Sequence, residues 1–363
     1  MFAAAAVPAN ASAGDFFVAG WNSSSVVRYD AVTGAMIDIF VTGGQGGLSQ
    51  AHSVVIGPDG HLYVSSTGNS SVMRYHGETG ASLPGPFGPA GTAQFVTSGS
   101  GNLNGPTSAV FGPDGNLYVS SLNNNRVLRY DGQTGAFIDA FVPAGSGGLS
   151  ATEALQFGPD GNLYVCSDGN NAVMRYDGQT GAPLPGPLGQ PGTAQFVTPG
   201  SGGLNGPHTL TFGPEGNLYV DSFSNNRVKR YDGETGASMG DFVSPGNGLS
   251  LPHGIVFGPD GNLYVGSFGT NNVLRYQGGN GDFLGVFASG GVQAPTYASF
   301  RCLPGDCDCD DDVALDDFAC FFGCVTGPEG KLPYGCDVFD FDNNGRIDMA
   351  DFAQLQLAFT GDP

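Results

Sequence analysis

Two sets of residues in this sequence have the types and spacing for metal chemistry. The first lies near the C-terminus: Asp340, Asp342, Asn344, Arg346, Asp348 and Asp351, with Gly345 and Ile347 between them. Side-chain oxygens fall at positions 1, 3, 5, 9 and 12 of a twelve-residue loop. Arg346 offers its carbonyl at position 7, Gly345 makes the sharp turn at 6, and Ile347 turns inward at 8. Calcium takes about six to eight oxygens, and this spacing wraps them around one ion. A second loop aligns with it: Asp306, Asp308, Asp310, Asp312 through its carbonyl, and Asp317, with Val313 at position 8. Asp311 stands where glycine is usual, and Ala314 stands where a water must substitute. Two calcium sites are expected, the 306–317 loop being the weaker.

The second set is scattered along the chain. His52, Glu153, His208 and His253 each precede by four positions the residue that ends a short apolar run: Ile56, Phe157, Phe212 and Phe257. Thr107 and Thr296 hold the same place before Phe111 and Phe300. Three imidazoles and a carboxylate could ligate a divalent cation or exchange protons with a substrate. The same column could equally be a polar lining satisfied by trapped water. His61 and His76 fall outside it.

Whether these four residues meet depends on the elements that carry them. Arg-Tyr recurs at Arg28, Arg74, Arg129, Arg175, Arg230 and Arg275, at steps of 46, 55, 46, 55 and 45 residues. A Gly-Pro-Asp/Glu-Gly turn begins at Gly57, Gly112, Gly158, Gly213 and Gly258. Each repeat reads as four short strands. One ends at that turn, Leu263-Tyr264-Val265 and its equivalents follow, and an Asn-rich turn leads to a third such as Val127–Tyr130. A fourth follows Asp-Gly-x-Thr-Gly, as at Ile138–Val142. Short strands at this period suit propeller blades. The first copy, from Asp15, lacks a first strand, and Ala294–Phe300 is a first strand with nothing after it. Together they complete a sixth blade and leave no open edge. The first strands line a propeller's channel, so the column should form a ring there.

Charge and cysteine divide the chain at the same place. Residues 1–300 carry 19 acidic and 9 basic side chains; residues 301–363 carry 14 and 3, which together give the net −21. So acidic a surface repels nucleic acid and anionic membranes. No apolar run is long enough for a membrane span. Cys166 stands alone, whereas Cys302, Cys307, Cys309, Cys320, Cys324 and Cys336 crowd the tail. An even set suggests disulfides, with Cys324–Cys336 the first pairing and thiolate-bound zinc the rival. Phe2–Val7 is apolar, and Ala11-Ser12-Ala13 before Gly14 fits a signal-peptidase site. Residues 1–13 therefore read as a signal-peptide remnant, 14–301 as the propeller and 302–363 as a calcium module, all secreted.

The phrase Phe-Gly-Pro-Asp-Gly-Asn-Leu-Tyr-Val at Phe111–Val119, with Asn124-Asn125-Arg126-Val127, resembles the NHL repeat. Pro252-His253-Gly254-Ile255 looks like a motif of virginiamycin B lyase-type propellers, whose channel histidines and glutamate work with magnesium. Glu153 falls where gluconolactonase-type propellers place a metal-ligating glutamate. In peptidylglycine lyase-type propellers the zinc histidines fall in the turn column held here by Asn125 and its equivalents. The tail, with position-12 aspartates and tandem loops, resembles a type I dockerin of paired EF-hand-type loops. That resemblance implies a cohesin-like protein or cell-surface component as partner. The fold expected is all-β: a six-bladed β-propeller followed by a small α-helical dockerin-like module. The function expected is that of a secreted binding or scaffold protein attached through calcium. The alternative is a metal-dependent lyase or lactonase-type hydrolase, with a divalent metal in the channel and a small-molecule or carbohydrate-derived substrate.

Overall fold

The computed structural model describes residues 14–302 and, beyond them, 305–306, 313, 317, 321, 324–325, 336–341 and 346–358. The expected signal segment 1–13 lies outside these residues. By their contacts the described residues form two compact units. One comprises Phe17–Tyr29 and Ala35–Ser299; the other holds the described residues up to Phe16, Asp30–Gly34 and the C-terminal part from Phe300.

The repeats fold into six four-stranded antiparallel sheets, the blades of a propeller. Blade 1 is ordered Pro295–Arg301, Asp15–Gly20, Ser25–Asp30, Met36–Val41, so strands from the two ends of the repeat region share one sheet as expected. The first strands of blades 2 to 6 are Ala51–Ile56, Ala109–Phe111, Thr152–Phe157, Leu210–Phe212 and Pro252–Phe257. Second strands such as Leu62–Ser66 and Leu163–Ser167 are buried at every residue. They lie mid-sheet with packing on both faces, which is why they read Leu-Tyr-Val rather than alternating.

Each repeated residue type has a structural task. Tyr63 packs edge-on against Phe95 of its own blade at 5.0 Å and Phe111 of the next at 4.9 Å. Tyr118, Tyr164 and Tyr219 repeat the arrangement. Such aromatic pairs contribute about 0.5–1.5 kcal/mol each beyond area burial and join neighbouring blades. The same tyrosine hydroxyls donate to the turn carboxylates, Tyr63 to Asp59 at 2.9 Å and Tyr118 to Asp114 at 3.0 Å. Gly60 ends its turn at φ +71°, as the Gly-Pro-Asp-Gly pattern requires.

The Asn-rich turns act as staples. Asn125, Asn171, Asn226 and Asn271 are left-handed (φ +53° to +59°), and each accepts a backbone N–H of the next blade: Ala151 at 2.7 Å, Gly206 at 2.8 Å, Leu251 at 2.7 Å and Ala294 at 2.7 Å. Ser24 and Ser70 do the same for Gln50 and Gly105. The bond from Asn271 to Ala294 carries the series across the closing blade. This column is therefore occupied with joining blades.

In the C-terminal unit, Val313, Phe321, Cys324, Cys336, Phe339, Ile347 and Leu355 form a small core. Cys324 and Cys336 are joined by a disulfide, the pairing expected; Cys302 is also disulfide-bonded, and Cys166 is free and buried. One helix, Met349–Ala358, is described, beginning two residues before Asp351. The rest of the α-helical module expected here lies mostly outside the described residues, although Asp317, Phe321 and Cys324 are helical and buried. Among the described residues, no helix is long and apolar enough to cross a membrane.

Candidate functional site

A β-bulge positions the channel residues. Ala51 pairs with Ser66 and Val54 with Val64, so one extra residue is accommodated at His52-Ser53. The same irregularity falls at Glu153-Ala154 and His253-Gly254. A bulge re-aims side chains, here turning two successive positions toward the channel. Gly254, at φ +84°, is required by close packing, since a Cβ there would lie 1.7 Å from the Thr296 carbonyl. This accounts for the glycine after His253.

The structure brings His52, Glu153 and His253 together. One ligand atom from each lies within 4.8 Å of the other two, and all three residues are buried. His52 Nε2 is 3.9 Å from Glu153 Oε2. The His52 and His253 rings are 4.9 Å apart, and His208 and His253 are 4.8 Å apart. His253 Nδ1 faces the Thr296 carbonyl at 3.3 Å, which favours a proton there and leaves the Nε2 lone pair free. His52 Nδ1 and Glu153 Oε2 are buried without a hydrogen-bond partner. Metal–ligand distances of about 2.0–2.2 Å in a tetrahedral set place neighbouring donors about 3.3–3.6 Å apart, so a pair 4.8 Å apart must close by about an ångström to share one ion.

His208 stands apart from this trio. Its Nε2 lies 3.8 Å from Asp168, its ring stacks on Phe223 at 4.3 Å, and its Nδ1 has no hydrogen-bond partner. The two threonines of the column are structural. Thr107 bonds Ser120 at 2.7 Å and the Thr152 carbonyl at 3.1 Å, while Thr296 donates to the Ala19 carbonyl at 3.2 Å.

Burial decides the protonation states. It lowers His52 to about 3, helped by His208, and His208 to about 4; it also holds His253 well below the usual range. Glu153 is pushed well above the carboxylate range, first by burial and then by Asp168 and Asp221. With nothing bound, the imidazoles are neutral at physiological pH and Glu153 keeps its proton. The 3.9 Å contact is then a meeting of two uncharged groups, not an ion pair.

Three further features appear only when equivalent positions are compared around the ring. After the column come Ser53, Ser108, Ala154, Thr209, Gly254 and Tyr297: five small residues and one large. Tyr297 reaches across from blade 1, its ring 5.8 Å from His52 and its hydroxyl donating to the His208 carbonyl at 3.4 Å. It fills space that the five small residues leave, and so floors the site.

The next-to-last residues of the second strands are Ala19, Ser65, Ser120, Cys166, Asp221 and Gly266. Asp221 Oδ1 accepts the N–H groups of His208 at 2.7 Å and Thr209 at 2.9 Å, and Oδ2 accepts the Thr209 hydroxyl at 2.6 Å. Cys166 is fully buried with its thiol pushed well up by burial, which makes it an inert core residue. Just beyond come Trp21, Thr67, Leu122, Asp168, Phe223 and Phe268, all partly exposed. Sequence reasoning missed Tyr297, Asp221 and this rim.

In the C-terminal unit, Asp306, Asp317, Asp340 and Asp351, positions 1 and 12 of the two expected loops, are all buried. Asp351 accepts the N–H groups of Phe341 and Asp348, each at 2.9 Å. Asp348 is half-buried and accepts the Ala350 N–H at 2.8 Å; Arg346 is exposed. Asp308, Asp310, Asp312, Asp342 and Asn344 lie outside the described residues. Ile347 and Val313 both turn inward, 0% and 3% exposed, as the position-8 assignment expects.

No family model and no curated protein matches the chain. Solved structures match it in 875 chains, so the fold is widely shared and says little of function by itself. A nidogen–laminin complex aligns with TM-score 0.55 at 14% identity, over 79% of this chain and 98% of the other. A protein of unknown function from Bacteroides caccae gives 0.56 at 14%, over 80% and 99%. Virginiamycin B lyase from Staphylococcus aureus gives 0.48 at 17%, over 75% and 83%. These are likenesses of fold.

Proposed function

We propose that the propeller is a metal-dependent lyase or hydrolase whose channel holds one divalent ion through His52, Glu153 and His253. The observation that carries this is the convergence of three buried donors, two with atoms that no protein group satisfies. A lining that served structure alone would be hydrogen-bonded like Thr107 and Thr296. Two imidazoles and a carboxylate suit a zinc-like ion and leave coordination positions open. An ion in such a site supplies Lewis acidity to a carbonyl or ester oxygen. His208, neutral and outside the ligand set, is the candidate general base, its ring held by stacking on Phe223 with Asp168 nearby at 3.8 Å. Equilibrium dialysis of the full chain against zinc, manganese and magnesium tests the reading. One ion beyond those of the tail is expected, lost in His253→Ala together with any turnover of a lactone or ester panel. Equal metal content in that variant would return the channel to a lining and the protein to a binding or scaffold role.

A second observation supports calcium in the tail. Four buried carboxylates in one small unit repel one another unless cations compensate them. Two calcium ions, held by the 306–317 and 340–351 loops, make this a dockerin-like attachment module of a secreted protein, with a cohesin-like or cell-surface partner. Chelation should melt the tail, by hydrogen exchange, while the propeller stays protected. A tail unchanged in chelator would refute it.

A further inference from the structure

The ring of residues just above the channel site is uneven in a way that points to a ligand. The six positions derive from one repeat column, yet they have diverged to Trp21, Thr67, Leu122, Asp168, Phe223 and Phe268. The three aromatic rings attend the three imidazoles. Trp21 meets His52 edge-on at 5.2 Å, Phe223 stacks on His208 at 4.3 Å, and Phe268 lies 6.1 Å from His253 and 5.9 Å from Phe223. None of the three rings is buried in the core, although each borders the buried site. Aromatic surface left partly wet beside unsatisfied polar groups is the usual make-up of a small-molecule site.

Charge narrows the ligand. Glu153, Asp168 and Asp221 lie in or beside the site. Every Lys and Arg between residues 14 and 300 lies on a third strand, away from the channel-lining first strands. Several are occupied there: Arg28 with Asp38 at 2.6 Å and Arg129 with Asp139 at 2.6 Å, and Arg227 and Lys229 both with Asp241. Arg301, at the end of the first strand of blade 1, is paired with Asp15, so among the described residues no Lys or Arg is placed to meet a carboxylate or phosphate on the ligand, and Asp168 at the rim opposes one. Tyr297 closes the floor, so the ligand enters from the aromatic rim.

We infer that the site takes a small molecule with a flat apolar ring, which lies on Trp21, Phe223 and Phe268, and that without a metal ion it favours neutral or cationic ligands over anionic ones. This names the substrate class of the proposed enzyme and rests on that reading for its consequence in catalysis, but ring binding itself needs no metal.

Trp21 is the only tryptophan in the chain, so its fluorescence reports on the rim directly. The test titrates 2-phenylethylamine, 2-phenylethanol and phenylacetate into the full chain stripped of transition metal, with calcium present. The amine and the alcohol should shift Trp21 emission saturably, while phenylacetate binds at least about tenfold more weakly than the alcohol. Phe223→Ala should weaken the alcohol by about tenfold with an unchanged thermal midpoint, its ring being partly exposed. Phe268→Ala is the second variant should the first fail to fold. Phenylacetate binding as well as the alcohol, no saturable binding of any probe, or undiminished binding by a folded variant would each overturn the inference. Ring binding without any channel metal would leave it standing and remove only the enzyme.

Discussion

Asp221 offers a prediction whose size follows from the structure. It is a carboxylate with no exposure, doing for His208 and Thr209 what Ser120 does for Thr107 and Ser108 in blade 3, where the serine oxygen accepts the two N–H groups at 3.1 and 2.7 Å. Asp221→Ser should therefore keep the strand contact while removing a buried acid. Burial raises Asp221 from 3.8 to about 7, against the lowering effect of its own hydrogen bonds. A carboxyl whose folded pKa exceeds its unfolded one is penalised where it must ionise. The cost is absent below the unfolded value, grows as pH rises, and is complete above about 7. Between pH 4.5 and pH 8 the stability of Asp221→Ser relative to the parent should rise by about 3 kcal/mol. The assay is urea denaturation of both proteins at several pH values, stripped of transition metal at constant calcium, followed by far-UV circular dichroism. Other titrating groups largely cancel in the difference. A flat difference across that range, or a parent gaining on the variant at high pH, would refute the reasoning.

Three further outcomes are expected. Asn226→Ala loses the staple to Leu251 and strains a left-handed residue, so it should cost about 2 kcal/mol in denaturant melts; Asn226→Gly, which relieves only the strain, should recover about half. Tyr297→Ser unplugs the channel and should cost about 2–3 kcal/mol, its ring being only partly buried, while retaining transition metal by dialysis; loss of the metal would mean that Tyr297 also orders the ligands. Removing the Cys324–Cys336 bridge by the paired substitutions Cys324→Ser and Cys336→Ser, which opens a loop across a sequence separation of 12 residues, should destabilise the C-terminal unit by about 3 kcal/mol, read by hydrogen exchange, and leave the blades untouched.

The fold was legible because each repeated residue performs a local task that recurs from blade to blade. Arg-Tyr pairs, Gly-Pro-Asp-Gly turns and Asn turns mark strand ends that no distant contact has to specify. The channel trio was half legible. The column His52, Thr107, Glu153, His208, His253, Thr296 could be aligned, but which members converge depends on the bulges and on hydrogen bonds between blades. Those bonds take the two threonines out of the site and leave His52 Nδ1 and Glu153 Oε2 without a partner. Tyr297 and Asp221 were hidden for a different reason. Each is ordinary as a residue and conspicuous only against five smaller equivalents, so the signal lies in departures from the repeat. In the tail, the inward turn of Ile347 and Val313 was legible from loop position, and the Cys324–Cys336 pairing from its place across the connection between two expected helices.

The central claim is that His52, Glu153 and His253 hold a divalent ion. Anomalous diffraction from crystals of the full chain grown with zinc, collected on both sides of the zinc edge, tests it most directly. The account predicts a peak in the channel about 2.0–2.2 Å from a ring nitrogen of each histidine and an oxygen of Glu153. Zinc elsewhere on the molecule, for example at the His61–His76 pair, with none in the channel would contradict it.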